Sequence, residues 1–242
     1  MVPTLSFIVP AHNEEQLLGR TLAGLHAAAR AVGESYEIIV ANDASTDHTA
    51  AVAEAAGATV VHVTCRQIAR TRNAGAAAAS GRLLIFVDAD THVPPETLRA
   101  TLAAWRDGAI GGGASVHLDG RLPLHVRMLM PAFRAGMRAA RLAAGCYVFC
   151  IPPVFAAIGG FDERLFAGEE LAFSRAARRH GRFVVLGEGV LSSGRKMRTY
   201  RLRELLPLAM AVVRQGPAAL RSRAALGVWY DERRHDPEDT AA

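Results

Sequence analysis

The sequence predicts an α/β fold, a mostly parallel sheet with helices on both faces. Short apolar runs alternate four times with helix-forming segments between residues 5 and 87, joined by short links, and that alternation reads as successive βαβ units. Capping and acidic residues gather just after the runs, at 10–14, 42–46 and 88–90. Half of the 242 residues are hydrophobic and 21% are charged, which allows one large domain with a substantial core.

Residues 5–9 form the first buried strand. The turn Pro10-Ala11-His12-Asn13 follows, and Asn13 with Gln16 resembles a capping box for a helix reaching residue 31. Residues 36–41 are the second strand. Asn42-Asp43-Ala44-Ser45-Thr46 is a loop before a helix over 47–56, which Gly57 stops. A third strand covers 59–63 and an Ala-rich helix 66–79. Leu83-Leu84-Ile85-Phe86-Val87 is the fourth strand.

The second half is less regular. Residues 109–118 read as a strand weakened by Gly111-Gly112-Gly113. Residues 131–144 read as a helix with Pro131 in its first turn. Arg134, Arg138 and Arg141 then share one face, opposite Met130, Phe133 and Met137. Residues 142–161 are uncharged over a bilayer's span, but Gly145, Pro152-Pro153 and Gly159-Gly160 interrupt any helix there. A strand over 145–151 and a short helix after Pro152 fit better. A helix over 169–180, stopped by Gly181, precedes a strand over 183–186. The expected organisation is one domain over 1–194 and a basic extension of two helices and a polar tail over 195–242.

Asp88-Ala89-Asp90 closes the fourth strand. In an extended run residues two apart share a face, so both carboxylates are expected to point the same way. Converging carboxylates repel unless a cation lies between them, and oxygen-only donors suit Mg²⁺ or Mn²⁺. Such a cation would grip a diphosphate. The bland alternative is a pair of solvated turn acids. Ligands of these sheets bind beyond the C-terminal strand ends, where the polar groups after residues 9, 41 and 87 converge. No G-x-G-x-x-G follows the first strand and no G-x-x-x-x-G-K-[ST] occurs, which disfavours a dinucleotide cofactor and a P-loop.

Net charge is +5, and Lys196 is the only lysine. A basic chain suits nucleic acid, anionic lipid or phosphorylated small molecules. Cys65, Cys146 and Cys150 cannot all pair internally and match no zinc spacing, so they read as reduced thiols of a cytoplasmic protein. The opening residues lack the basic region of a signal peptide.

Four blocks together resemble glycosyltransferase family 2, the GT-A nucleotide-sugar transferases. They are Phe7-Ile8-Val9-Pro10-Ala11-His12-Asn13-Glu14-Glu15; Ile39-Val40-Ala41-Asn42-Asp43-Ala44-Ser45-Thr46-Asp47; Ala69-Arg70-Thr71-Arg72-Asn73-Ala74-Gly75, continuing to Asp90; and Gly159-Gly160-Phe161-Asp162-Glu163 with Gly168-Glu169-Glu170. The resemblance implies a GT-A fold and transfer of a hexose from a nucleoside diphosphate sugar, UDP-linked before GDP-linked. It implies a divalent metal cofactor, inversion, and no nucleic acid partner. Pro10, Ala11, Asn13, Glu14 and Asp43 would shape the nucleotide pocket, with Asp43 accepting from the base. Arg72 would lie near the nucleotide or its phosphates, Asp88 and Ala89 near the ribose or metal, and Asp90 on the metal. Glu170, or Glu169 in its place, would be the base, and Asp162 would reach the sugar or acceptor. Arg195 or Lys196 would close on the diphosphate.

Two residues depart from the family pattern: Glu170 stands where Asp is usual, and Asn42-Asp43-Ala44 where Asp-Asp-Gly is common. The Q-x-x-R-W signature of processive enzymes is absent, which favours single additions. The acceptor is open, with a lipid-linked one in view, since the arginine face suits an anionic membrane at the inner surface of the plasma membrane. Rival readings are a nucleotidyltransferase, which would want a Gly-rich basic loop after the first strand, and a non-catalytic nucleotide-sugar binding or membrane scaffold protein.

Overall fold

In the computed structural model, which describes residues 2–199, 220 and 221 but not the Lys196 side chain, the chain begins with three βα units. They are β1 (Leu5–Ala11), α1 (Glu15–Val32), β2 (Tyr36–Asp43), α2 (Thr49–Ala55), β3 (Thr59–Val63) and α3 (Ile68–Ala77). β4 (Leu83–Val87), a short β5 (Thr91–His92) and α4 (Pro95–Arg106) follow. The second half holds β6 (Gly111–Leu118), α5 (Leu124–Ala139), β7 (Tyr147–Cys150), α6 (Pro152–Ala157), α7 (Glu169–Ala177), β8 (Phe183–Ser192) and α8 (Arg195–Thr199).

One sheet of eight strands runs in the order β3-β2-β1-β4-β7-β6-β8-β5. β1, β2, β3 and β4 are mutually parallel, as are β6 and β8, whereas β7 runs antiparallel to β4 and β6, and β5 to β8. The expected α/β architecture is present, with a mixed rather than purely parallel second half. Alternation along the strands divides the core. Leu5, Phe7, Val9, Leu83, Ile85 and Val87 pack under α1 and α4. Ile8, Leu84 and Phe86 face the other way, onto Phe161 and Phe173 near α7. On that side Phe161 stacks on Phe173 at 4.6 Å and meets Phe86 edge-on at 4.9 Å.

Several boundaries differ from expectation for identifiable reasons. α1 starts at Glu15 and is not closed by an Asn13–Gln16 box; the Glu14 N–H donates to Thr49 Oγ1 and the Glu15 N–H to Asp47 Oδ2. Its first turn is thus capped by a distant loop. α4 lies where the sequence reading assigned no element, although Pro95 opens it and Glu96 suits its first turn. α5 begins at Leu124 and carries Pro131 in its interior. No residue of the helix is buried, so the carbonyl that loses its Pro131 partner is open to solvent, which lowers the cost of an interior proline. Arg141 lies beyond α5 at φ 51, so it does not continue the face of Arg134 and Arg138. β8 extends to Ser192 because β6 and β5 pair along it. The strand and short helix expected between Gly145 and Ala157 are present as β7 and α6. Most of the expected C-terminal extension, residues 200–219 and 222–242, lies outside the described residues.

The triple glycine strengthens β6 rather than weakening it. A side chain on Gly112 would overlap the Val184 carbonyl oxygen and lie 2.6 Å from the Phe149 ring, so only glycine lets β6 fit between β7 and β8. Gly112→Ala is expected to cost about 3 kcal/mol or more, the upper end for overpacking a filled site. Urea unfolding monitored by circular dichroism would show it, and an unchanged midpoint would contradict the packing.

Candidate active site

Parallel pairing brings the C-terminal ends of β1, β2 and β4 to one edge. Ala11 is in register with Asn42, and Pro10 and Ala11 are buried within that edge. His12 then donates its Nδ1–H to the Asp43 carbonyl at 2.6 Å, which leaves Nε2 to accept from Arg66 Nη1. Asn13, at φ 50, uses its side chain to hold the loop after β2: Oδ1 accepts from the Thr46 N–H at 2.8 Å. Its backbone N–H donates to Ser45 Oγ. Asn13 therefore builds the rim of the cleft.

Asp43 occupies a different position from the one expected. Its Oδ1 accepts from the N–H groups of Cys65 and Arg66, both at 2.8 Å; Oδ2 accepts from the Gln67 N–H at 3.1 Å and Thr71 Oγ1 at 2.7 Å. An ionised carboxylate offers about four acceptor sites, and protein donors fill them all. The carboxylate holds Arg66 in the left-handed region, at φ 47, and caps the start of α3. Direct contact with a base would require one of these bonds to be exchanged. Its neighbour Asn42 is equally buried, yet its Oδ1 has no hydrogen-bond partner among the described residues. Sequence reasoning gave Asn42 less weight than Asp43. No short-range signal distinguishes the two, because the donors that occupy Asp43 come from 22–28 residues away.

The acidic motif is a turn. The Thr91 N–H donates to the Asp88 carbonyl at 3.1 Å, closing a β-turn over Asp88-Ala89-Asp90-Thr91. Thr21 Oγ1 pins the Ala89 carbonyl from α1 at 2.8 Å, and the Asp88 N–H reaches the Cys146 carbonyl. The two acids are therefore presented by a turn and not as alternate residues of a strand. Both bear on the buried Cys146 thiol, whose pKa is pushed up first by burial and then by the charges of Asp88 and Asp90.

Arg72 lies at the centre of the site and is 2% exposed. Its Nη2 donates to Asp88 Oδ1 at 2.8 Å and to the Gly145 carbonyl at 2.9 Å, while Nη1 donates to Glu169 Oε1 at 2.7 Å. The Phe161 ring covers the guanidinium at 5.2 Å. In this structure the fork is engaged by two carboxylates, and it ties the end of β4 to the start of α7. Glu169 is buried in that pair, which leaves Glu170 as the candidate base. The Glu170 carboxyl is pushed up to about 8, chiefly by desolvation and then by the charge on Glu169, with Arg72 opposing.

Asp162 is also committed: Arg164 donates to it from Nε and Nη2, both at 2.8 Å. That pairing, first of all, holds the Asp162 carboxyl down at about 2. Arg195 does come to the edge, with Nη2 3.7 Å from Oε2 of the buried Glu14. The Lys196 side chain lies outside the described residues.

The donor set can be tested for a metal. Asp88 Oδ1, not Oδ2, takes the Arg72 bond, and Asp90 Oδ1 accepts long bonds, at 3.4 Å, from Thr91 and Ser192. Among the described residues no group of three or more His, Cys, Asp or Glu side chains is placed to hold an ion. Two oxygen donors at a turn fit a hard cation that draws its remaining ligands from phosphates and water, the usual arrangement for Mg²⁺.

Two outcomes are expected. Removing Arg72 strands the buried carboxylate of Glu169, so Arg72→Met should cost about 3–5 kcal/mol; a loss below about 1 kcal/mol in chemical denaturation would contradict the bracket. The raised carboxyl of Glu170, ordinarily at 4.5, means that the folded state holds this proton more tightly than the unfolded chain. The resulting stability is complete below the unfolded value and is lost as pH rises through about 8. The melting temperature should therefore fall between about pH 5 and pH 9, and Glu170→Gln should remove much of that fall.

Comparison with known proteins agrees with this architecture. The model of the glycosyl transferase family 2 matches residues 6–156. An undecaprenyl-phosphate 4-deoxy-4-formamido-L-arabinose transferase of Shewanella sediminis is 33% identical over 111 residues, 43% of this chain and 34% of that protein. The chain thus spans about a third of that relative's length. Among solved structures, glucosyl-3-phosphoglycerate synthase of Mycobacterium tuberculosis with Mn²⁺, UDP and glucosyl-3-phosphoglycerate has a TM-score of 0.62 at 22% identity, covering 90% of this chain and 80% of that one. A mannosyltransferase of Pyrobaculum calidifontis with GDP-mannose and Mn²⁺ has a TM-score of 0.65 at 18% identity, covering 93% and 65%. With the matched residues spanning more than half of the chain, and with the parallel β1–β4 edge and its acidic turn in place, the protein belongs to the glycosyl transferase family 2.

Proposed function

We propose that this chain transfers a sugar from a nucleoside diphosphate sugar, UDP-linked in preference, to an acceptor hydroxyl or phosphate in single, inverting additions. The observation that carries the reading is the juxtaposition at one sheet edge of the Asp88–Asp90 turn, the Arg72 bracket and the partly buried Glu170. The named activities and ligands of the similar proteins support it.

The acceptor oxygen attacks the anomeric carbon while the bond from that carbon to the phosphate oxygen breaks, and its electron pair leaves with the nucleoside diphosphate. A hydroxyl acceptor gives its proton to the Glu170 carboxylate, whereas a phosphate acceptor attacks as an oxyanion already ionised near neutral pH. Attack opposite the leaving group inverts the anomeric centre. When bound, a divalent cation held by Asp90 and Asp88 Oδ2 supplies Lewis acidity at the departing diphosphate. Arg72 and Glu169 position rather than react: they hold Asp88 and the first turn of α7 at fixed separation. Arg195, drawn to Glu14 in the ligand-free chain, stands where it can exchange that carboxylate for a diphosphate oxygen. Asn42 Oδ1 offers the buried acceptor that a base N–H requires. A phosphate on a lipid carrier is the favoured acceptor, in line with the undecaprenyl-phosphate relative. Such an enzyme would work in the cytoplasm against the inner membrane face.

Mn²⁺ with UDP should raise the melting temperature by mass action. Asp90→Asn should abolish the metal-dependent part of that shift, whereas Glu170→Gln should keep the shift and lose turnover onto a hydroxyl. If Asp90→Asn retained the full metal-dependent shift, the assignment of the turn would be wrong. For the wild type with a hydroxyl acceptor, kcat/KM should climb about tenfold per pH unit below the base's pKa and level off above about 8.

A further inference from the structure

α5 buries no residue of its own. It packs against β6 and β8 through one face only, where Met137, Phe133 and Arg134 line a shallow cleft with Val116 and Val185. Away from that cleft the helix carries Leu124, Met128 and Leu129, exposed at 69%, 70% and 65%, and Phe133, 49% exposed, borders both sides. On a soluble surface such a contiguous apolar strip marks a docking site. Arg127 and Arg138 are exposed along its flank, and Arg121 and Arg141 stand beside its two ends. No Asp or Glu occurs anywhere from 120 to 161.

We propose that α5 lies in the plane of an anionic lipid surface, with its apolar strip among the acyl chains and its arginines on the headgroup phosphates. A helix that is apolar outward, basic at the flank and free of acids matches that interface on both counts. A second copy of this chain matches it poorly, because two such faces would bring arginines against arginines. No helix among the described residues is long and apolar enough to cross a membrane, so contact would be from one side.

The topology gives the contact a consequence. The chain leaves the sheet for α5 at the end of β6 and returns at β7, whose first residue, Tyr147, pairs with Val87. On the way back the Gly145 carbonyl binds Arg72 and the Cys146 carbonyl binds the Asp88 N–H. The segment that follows α5 thus runs directly to the acidic turn and its Arg72 bracket. This deepens the proposed function by favouring a lipid-borne acceptor, but the binding itself is read without any turnover.

The full chain would be sedimented with vesicles of phosphatidylcholine alone or mixed equally with phosphatidylglycerol. Pelleting with the anionic vesicles and little with the neutral ones is expected. Leu129→Asp, on an exposed position, should abolish pelleting with an unchanged melting temperature, and Arg127→Gln should weaken it about fivefold, as expected for one basic residue at an anionic surface. Absence of lipid-dependent pelleting, or pelleting indifferent to Leu129→Asp, would overturn the proposal. So would a concentration-dependent dimer, lost in Leu129→Asp, in a chain that ignores vesicles.

Discussion

A single buried guanidinium holds the site together. Arg72 comes from α3, yet its bonds go to the end of β4, to the segment returning to β7 and to the first turn of α7. A charge at 2% exposure is tolerable only when its partners are equally fixed. Two carboxylates, a carbonyl and an aromatic face provide that. The same bracket takes one oxygen of Asp88 and crowds Glu170 beside an ion pair that already satisfies Glu169. The electrostatics of the edge follow from this division: one acid is neutralised structurally, one is held at the turn, and one is pushed towards the protonated form.

Asp43 has the analogous role on the nucleotide side. By accepting three consecutive backbone N–H groups and a hydroxyl, it folds residues 64–67 into a loop that would otherwise carry unpaired donors. A buried carboxylate with four donors is a structural centre, while the neighbouring Asn42 keeps a buried amide oxygen with no partner among the described residues. The departure from Asp-Asp to Asn-Asp then has a physical reading. Of two adjacent acceptors, the carboxylate is fully used in folding the loop, and the one with spare capacity is an amide.

Much of the first half was legible in the sequence. The alternation of apolar runs and helices placed β1 to β4 within a few residues, and the shared strand ends located the edge. What misled was locality. Asn13 and Gln16 look like a cap, but Asp47 and Thr49 supply it from across the loop. Asp88 and Asp90 look like alternate residues of a strand, but a hydrogen bond from Thr91 turns them. Arg72 looks like an exposed phosphate fork, because nothing nearby shows that Glu169, 97 residues on, will claim it. Pro131 looked like a helix start because a proline interior to a helix is costly, yet α5 is exposed enough to carry one. For the α1 cap and for Arg72, a local motif was credited with a bond that is made over a long stretch of chain.

The account's central claim is that the acidic turn, braced by Arg72, seats a divalent ion against a diphosphate. Anomalous diffraction from crystals grown with Mn²⁺ and UDP tests it most directly. The account predicts a manganese peak within bonding distance of an Asp90 oxygen and of the diphosphate, with Asp88 Oδ1 still paired to Arg72. Diphosphate bound at this edge with manganese absent from the turn, or Asp88 released from Arg72 to face solvent, would contradict it.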